Sequence, residues 1–385
     1  MIKIVSVDQI RYLDKQTIAS YGISGFHLMD LAGKGLANAI LNRVNEYSSP
    51  PRILMFAGKG NNGGDVFSAS KYLRKQKILH ETIAFCKKSS IKGDNLLHFN
   101  KLNKSSIYPI NFIDDPEKVK NYLSEFSPDI IVDGLIGTGI KSEVKGIVKK
   151  IIELINKTNN FVISVDIPSG MNGDTGEGFS VNADLTVTFG CPKIGMFSNT
   201  TGQEKCGKII NIDLCFPKAL IDKVKTNAYL ITSSDISTFI QKKPFTSHKG
   251  DFGRPLIFAG SPKYPGALIL CAGASLLANA GVITVAALKE LRDILLTYHP
   301  EVTYNIISGI SPVSSYLRNL NKALDFTSLA FGPGLGKSKD TKDSLSIILK
   351  IFKDLPLIID ADGLNVLSKN IDLLKKRSSR QSKII

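Results

Sequence analysis

Ile53-Leu54-Met55-Phe56-Ala57-Gly58-Lys59-Gly60-Asn61-Asn62-Gly63-Gly64-Asp65 is an apolar run that empties into a turn of glycine and polar residues. Val66 to Lys75 follows with helical spacing, Phe67, Ser70 and Leu73 among its spaced positions. A continuous apolar run reads as a strand buried on both faces, and the helix after it makes the pair half of a parallel β/α unit. Glycines in such a turn let backbone approach a ligand, and N–H groups at a helix start attract anions. The turn is neither the GxGxxG dinucleotide fingerprint nor a P-loop, because no Gly-Lys-Ser/Thr closes it. Its two asparagines and its aspartate add donors and acceptors that a simple phosphate loop does not need.

Moving outward, the pattern repeats. Ile130-Ile131-Val132-Asp133 and Phe161-Val162-Ile163-Ser164-Val165-Asp166 are strands that end in an acid. Each leads into a glycine-containing loop, Gly134 to Gly139 after the first and Ile167-Pro168-Ser169-Gly170 after the second. Thr82–Phe85, Leu185–Phe189 and Lys208–Ile212 read as further strands, with helices over Pro116–Phe126 and Val144–Asn156. Helices come first: Ser6 and Gln9 fit a capping box, Ile10, Leu13 and Ile18 supply a stripe, and Leu28 to Leu41 continue at helical spacing. The fold class expected is α/β, a three-layer arrangement with a parallel sheet covered on both faces. Ligands in such sheets bind at the carboxyl ends of the strands, where Gly58, Asp133 and Asp166 all fall.

Residues 216–250 are weaker in pattern, and a domain boundary is placed near 228. This gives one domain over 1–227 and a second over 228–385. A second alternating series follows: strands at Leu256–Phe258, Val282–Ala286, Leu329–Phe331 and Leu357–Asp360, and helices at Ala267–Asn279, Leu288–Leu296 and Leu345–Phe352. No fixed-period repeat is seen.

Composition sets bounds on function. The chain has 385 residues, 43% of them hydrophobic and 22% charged, which is ordinary for two globular domains. No apolar stretch is long enough for a membrane span, and Met1 to Lys15 does not read as a signal peptide, so a cytoplasmic location is expected. The five cysteines show no paired spacing and read as free thiols. A net charge of +15 comes from 40 lysines and only 9 arginines, scattered except for the tail Lys375 to Lys383. That pattern suits a lysine-rich surface better than a nucleic-acid reader, and neither nucleic acid nor membrane is expected as a partner. The five histidines show no ligand spacing. The oxygen-bearing side chains near the three turns suit a hard, weakly bound cation rather than a transition metal.

The chain resembles the bifunctional NAD(P)H-hydrate repair enzyme family. The resemblance rests on Gly22 to Gly33, the NNGGD turn, Asp133 to Gly139, Asp166 to Gly170, and Ala183 to Gly190 with Pro192-Lys193. It implies a Rossmann-like NAD(P)H-hydrate epimerase domain. Substrate, hydrated NADH or NADPH, would contact Asn61, Asn62, Gly63, Gly64, Asp65, Gly137, Thr138, Gly139, Ile140, Lys141, Ser142, Glu143 and Asp166. A potassium ion would be held by Asn62, Asp133 and Ser169. Asp166 is expected to serve as the catalytic acid/base. One departure stands out: Val66 occupies a position where the family usually has glycine, and its branched side chain is expected to crowd the helix start.

The second half resembles that family's ADP-dependent dehydratase, a ribokinase-like fold. The matching segments include His248 to Gly253, Gly332-Pro333-Gly334-Leu335-Gly336 and Asp360 to Asn365, and the resemblance places substrate on Ala267 and Gly334. The family adds a late Gly-Thr-Gly-Asp loop, whereas the only Gly-Thr-Gly here is Gly137-Thr138-Gly139. The expectation is therefore an incomplete, inactive dehydratase, with doubtful binding of ADP and magnesium, an exposed sheet edge and an uncovered apolar face. The alternative readings are a non-catalytic binding module and a small-molecule kinase. A homo-oligomer is left open.

Overall fold

The computed structural model describes residues 1–102, 108–139, 143–239, 244–308, 312–320, 325–376 and 383–385. Two compact units emerge, Met1–Gln241 and Lys242–Ile385.

In the first unit β1 (Ile2–Lys3) leads into α1 (Val7–Tyr21) and α2 (Gly25–Val44). The Ser6–Gln9 capping box read from the sequence starts α1: the Ser6 side chain accepts from the Gln9 N–H, and the Gln9 side chain accepts from the Ser6 N–H. Then come β2 (Ile53–Ala57), α3 (Asn61–Lys75), β3 (Glu81–Ala84), α4 (Gly93–Leu102), β4 (Ile110–Phe112) and α5 (Pro116–Phe126). β5 (Ile130–Gly134), α6 (Gly146–Asn156), β6 (Phe161–Val165), β7 (Leu185–Phe189), α7 (Thr200–Cys206) and β8 (Lys208–Ile212) complete the main sheet. The unit ends with α8 (Lys218–Lys223), β9 (Tyr229–Leu230) and α9 (Ser233–Phe239).

Seven strands pair in parallel in the order β4-β3-β2-β5-β6-β7-β8. Chain order reverses between β2 and β5, so the loops after these strands border the crevice where doubly wound sheets take ligands. β2, β5 and β7 are buried along their whole length, as strands covered by helices on both faces must be. One core layer joins α2 and α3 to the sheet through Leu36, Ile40, Met55, Phe67 and Val132. The other joins α5 and α6 through Leu54, Val119, Ile131, Ile151 and Ile155. β9 pairs antiparallel with β1, which ties residues beyond 228 back to the first unit. The compact unit thus ends later than the boundary set from composition, because a two-residue strand leaves no pattern to read.

The second unit contains β10 (Pro255–Phe258), α10 (Pro265–Leu277), β11 (Thr284–Leu288), α11 (Arg292–Tyr298), β12 (Thr303–Ile307), α12 (Pro312–Asn319), β13 (Ser328–Phe331), α13 (Lys339–Ile351), β14 (Leu357–Ile359) and α14 (Asp362–Ser368). Its parallel sheet runs β12-β11-β10-β13-β14, with the switch between β10 and β13. The β14 edge is not bare, contrary to the exposed edge expected from the sequence: Leu357 N donates to Lys383 O (3.0 Å) and Ile385 N to Leu357 O (3.0 Å). Apolar side chains are nonetheless exposed on this unit, among them Leu270, Leu277, Ile306 and Ile358. Among the described residues no helix is long and apolar enough to cross a membrane, and all five cysteines are free.

Glycine in the NNGGD turn serves packing first. A methyl group on Gly63 would fall onto the Gly58 carbonyl, and one on Gly58 onto the Leu135 carbonyl. Neither backbone can yield, so β2, α3 and β5 meet only through hydrogen atoms here. Gly63→Ala is expected to cost about 1–3 kcal/mol of stability. Gly139→Ala, which meets nothing within 4 Å among the described residues, is the control and should change little. Urea denaturation of the full chain checks both.

Candidate functional site

A cleft opens at the carboxyl ends of β2, β6 and β7, roofed by α1 and α2. Its polar lining is Asp14, Asn61, Asn62, Asp65, Asp94, Thr138, Asp166 and Lys193, set against Leu28, Met29 and Phe189. Three turns distant in sequence thus converge on one space. The N-cap of α3 is Gly60, without a side-chain cap, so the first N–H groups of the helix lack a capping side chain at the cleft.

Lys193 is the electrostatic centre. Its side chain is only 1% exposed, and its Nζ donates to Thr188 Oγ1 (2.9 Å), to Phe189 O (3.3 Å) and, as an ion pair, to Asp166 Oδ1. Asp166 follows β6 with φ +68°, a left-handed backbone that aspartate adopts more readily than most residues. Its N–H is held by Val187 O (2.8 Å), and Thr188 Oγ1 donates to its carboxylate (3.4 Å). A strained residue fixed from both sides is typical of a working site.

Two more carboxyl groups share the cleft. Burial, reinforced by the negative charge of Asp166 and opposed by Lys193, pushes Asp14 up to about 6. Burial raises Asp65 well above the usual carboxylate range, with Asp166 and then Asp14 adding and Lys193 opposing. One buried cation stands against three acidic side chains, so burial and like charge outweigh it at Asp14 and Asp65. No group of three His, Cys, Asp or Glu among the described residues is placed to hold a metal ion, these aspartates included.

Asp133 lies beneath the cleft, fully buried. Its Oδ2 accepts from Ser164 Oγ (2.9 Å) and Ser169 N (2.9 Å), and its Oδ1 from Leu135 N (3.3 Å). Burial raises its pKa while these bonds oppose the rise. Ser169 Oγ accepts from Ile136 N (2.9 Å) and donates to Ile136 O (3.0 Å). Asn62 Nδ2 donates to Val165 O (2.6 Å), and its Oδ1 sits against Gly137 with no donor among the described residues. Asn62, Asp133 and Ser169 therefore meet around the turn Leu135–Gly137. Their oxygens, one carboxylate among them with lone pairs to spare, form a donor set that fits a hard monovalent cation.

The remaining expected contacts divide. Asn61, Asn62, Asp65, Thr138 and Asp166 line the cleft. Gly63 and Gly64 are buried behind it, and Gly137 packs on Asn62. Gly139 and Glu143 lie outside that lining, Glu143 exposed. Ile140, Lys141 and Ser142 fall outside the described residues. Val66 does not crowd the helix start: α3 begins cleanly, and Val66 is buried in the core with its side chain toward Gly134. In the second unit Gly334, at φ +69°, lies against Ala267 at the switch between β10 and β13, so those two residues are neighbours. Asp14, Asp94 and Lys193 are the polar members of the first cleft to which the sequence assigned no role.

These features define a two-unit α/β protein built on two parallel sheets, with a polar cleft at the carboxyl ends of the strands of its first sheet. The family described as YjeF-related protein N-terminus matches residues 25–195, and that described as NAD(P)H-hydrate dehydratase matches residues 255–385. The second match runs through the basic tail and does not bear out a break in the family pattern before it. The bifunctional NAD(P)H-hydrate repair enzyme Nnr of Thermofilum pendens is 31% identical over 389 residues, covering 98% of this chain and 71% of its own. That of Coxiella burnetii is 31% identical over 364 residues, covering 94% and 70%. Among solved structures, the yeast protein YNL200c aligns over 61% of this chain and 98% of its own at 21% identity and a TM-score of 0.48. The Bacillus subtilis ADP/ATP-dependent NAD(P)H-hydrate dehydratase co-crystallised with ATP/Mg2+ aligns over 36% and 48% at 24% identity and a TM-score of 0.32. The chain belongs to the bifunctional NAD(P)H-hydrate repair enzyme family and carries both of its domains.

Asp14 makes the cleft costly to the fold. Its folded carboxyl titrates near 6 against an ordinary 3.8, so between these values the folded state keeps a proton that the unfolded state has lost. Stability from this group falls as pH rises through that window and stays lower above it. Asp14→Asn should therefore be more stable than the parent at pH 8, by on the order of 1–3 kcal/mol, and nearly equal to it at pH 4. Urea denaturation of both proteins at the two pH values tests this; an equal difference at both would contradict it.

Proposed function

We propose that the first unit interconverts the R and S forms of hydrated NADH and NADPH. The observation that carries this is the placement of Asp14, Asp65, Asp166 and Lys193 around one cleft beside the NNGGD turn. The hydrated ring bears a hydroxyl on the carbon next to nitrogen. Lone-pair donation from nitrogen breaks the C–O bond, the hydroxyl takes a proton and leaves as water, and a planar cation remains. A water then adds from the opposite face and returns a proton to the protein, which inverts the centre and balances every atom.

Asp166 carries the acid/base role expected from the sequence. Its contact with Lys193 and its place at the end of β6 set its side chain in the cleft, where it can stabilise the cation and accept the proton of the incoming water. Asp14, titrating near 6, is suited to protonate the departing oxygen. Asn62, Asp133 and Ser169 would hold a potassium ion, whose positive charge would help fix the substrate phosphates.

Incubating one purified epimer with the full chain and potassium should produce the other. Asp166→Asn, which tolerates the same left-handed backbone, should slow inversion by roughly 10²-fold or more while nucleotide binding persists. Retained turnover would refute the role of Asp166, and equal rates in potassium and lithium would refute the cation.

For the second unit we propose that residues 242–385 alone do not complete ADP-dependent dehydration. The Gly-Thr-Gly of this chain sits in the first unit, where Thr138 faces the other cleft. With ADP and magnesium added, the S hydrate should not be converted to NADH by the 385 residues. Recovery of NADH absorbance would overturn this reading.

A further inference from the structure

A second cleft lies on the other side of the Gly58–Gly60 loop, between the ends of β2, β3 and β5, and the function proposed above leaves it unused. Lys59, Lys87 and Lys92 lie along it, and Phe85, Ile136 and Val148 give it apolar walls. Asp114 is the one acid in its lining. Among the described residues none of the three lysines is ion-paired, whereas the adjacent Lys88 is turned toward the Phe99 ring. The two clefts are neighbours along both loops: Asn61, Asn62 and Thr138 line the first, and Gly58, Gly60, Leu135 and Ile136 the second. A ligand crossing the uncapped start of α3 would enter both.

Topology says which end of a dinucleotide belongs there. β3 is the second strand in chain order of the doubly wound sheet and pairs beside β2. In such folds the residue after this strand reads the ribose 2′ position: an acid accepts a free hydroxyl, and a base accommodates a phosphate. Here Phe85-Cys86-Lys87-Lys88 follows β3, and no acid occurs between Glu81 and Asp94. The apolar walls suit the flat face of a purine, and the unpaired cations suit a dianion.

We propose that this cleft binds the adenosine end of the substrate through a 2′-phosphate, so that the first unit prefers hydrated NADPH to hydrated NADH. The proposal deepens the epimerase reading and rests on it for the identity of the whole substrate. It is tested by calorimetry on the full chain with 2′,5′-ADP and 5′-AMP, alongside the ratio of kcat/KM for the two hydrates. 2′,5′-ADP should bind at least tenfold tighter than 5′-AMP, and the kcat/KM ratio should favour the phosphorylated hydrate by a similar factor. Lys87→Gln combined with Lys92→Gln should bring both ratios close to one. Equal affinities in the parent, or a preference that survives the double substitution, overturns the proposal. A chain that shows the binding preference yet inverts neither hydrate supports the cleft and contradicts the epimerase reading. One that inverts both hydrates equally well, with equal affinities for the two nucleotides, contradicts the cleft alone.

Discussion

The buried ion pair between Lys193 and Asp166 is the constraint around which the first unit is arranged. An ammonium taken out of water is expensive unless it is paired and hydrogen-bonded, and Lys193 meets that condition through Asp166, Thr188 and Phe189 O. The segment that carries it is pinned by the N-terminus: Val5 N donates to Pro192 O (2.9 Å), and Ile194 N to Val5 O (3.0 Å). One residue later Ser6 caps α1, the helix that brings Asp14 over the cleft. Arg11 on the same helix donates to Thr138 O (2.6 Å), so the 137–139 loop is tied in as well. A single backbone bridge thus sets both the cation and two of the walls around it.

This arrangement explains why the cleft can hold several carboxyl groups in different states. Asp166 touches the cation directly, whereas Asp14 and Asp65 feel it at longer range and are dominated by burial and then by the charge of Asp166. Environments that push like groups apart are what acid/base chemistry requires. Asp133, buried deeper and met by three donors, belongs to the scaffold that brings the Leu135–Gly137 turn against Asn62 and Ser169. The close approach of Gly58, Gly63 and Leu135 fixes the spacing of these loops.

Much of this was legible in the sequence, because its signals were strong and local. Apolar runs ending at Gly58, Asp133 and Asp166 announced a parallel sheet and the side on which its site lies. The three-residue strand Ile110–Phe112 and the short helix Gly93–Leu102 carried too little periodicity to be read. Asp14 escaped because an acid on an exposed-looking helix is common, although its place four residues after Ile10 and four before Ile18 put it inside the apolar stripe. Lys193 was quoted with Pro192 in the family pattern but given no role, because its partner Asp166 is 27 residues away in sequence. The glycines of the turn were read as ligand-facing, and their tighter partners, other backbone segments, are visible only in three dimensions.

The account turns on breaking and remaking one carbon–oxygen bond inside the Asp14–Asp166 cleft. The direct measurement is to run the inversion in water enriched in heavy oxygen and weigh the product epimer by mass spectrometry. One solvent oxygen per inverted molecule is the predicted result. Inverted product that keeps its original oxygen, or no inversion at all, would contradict it.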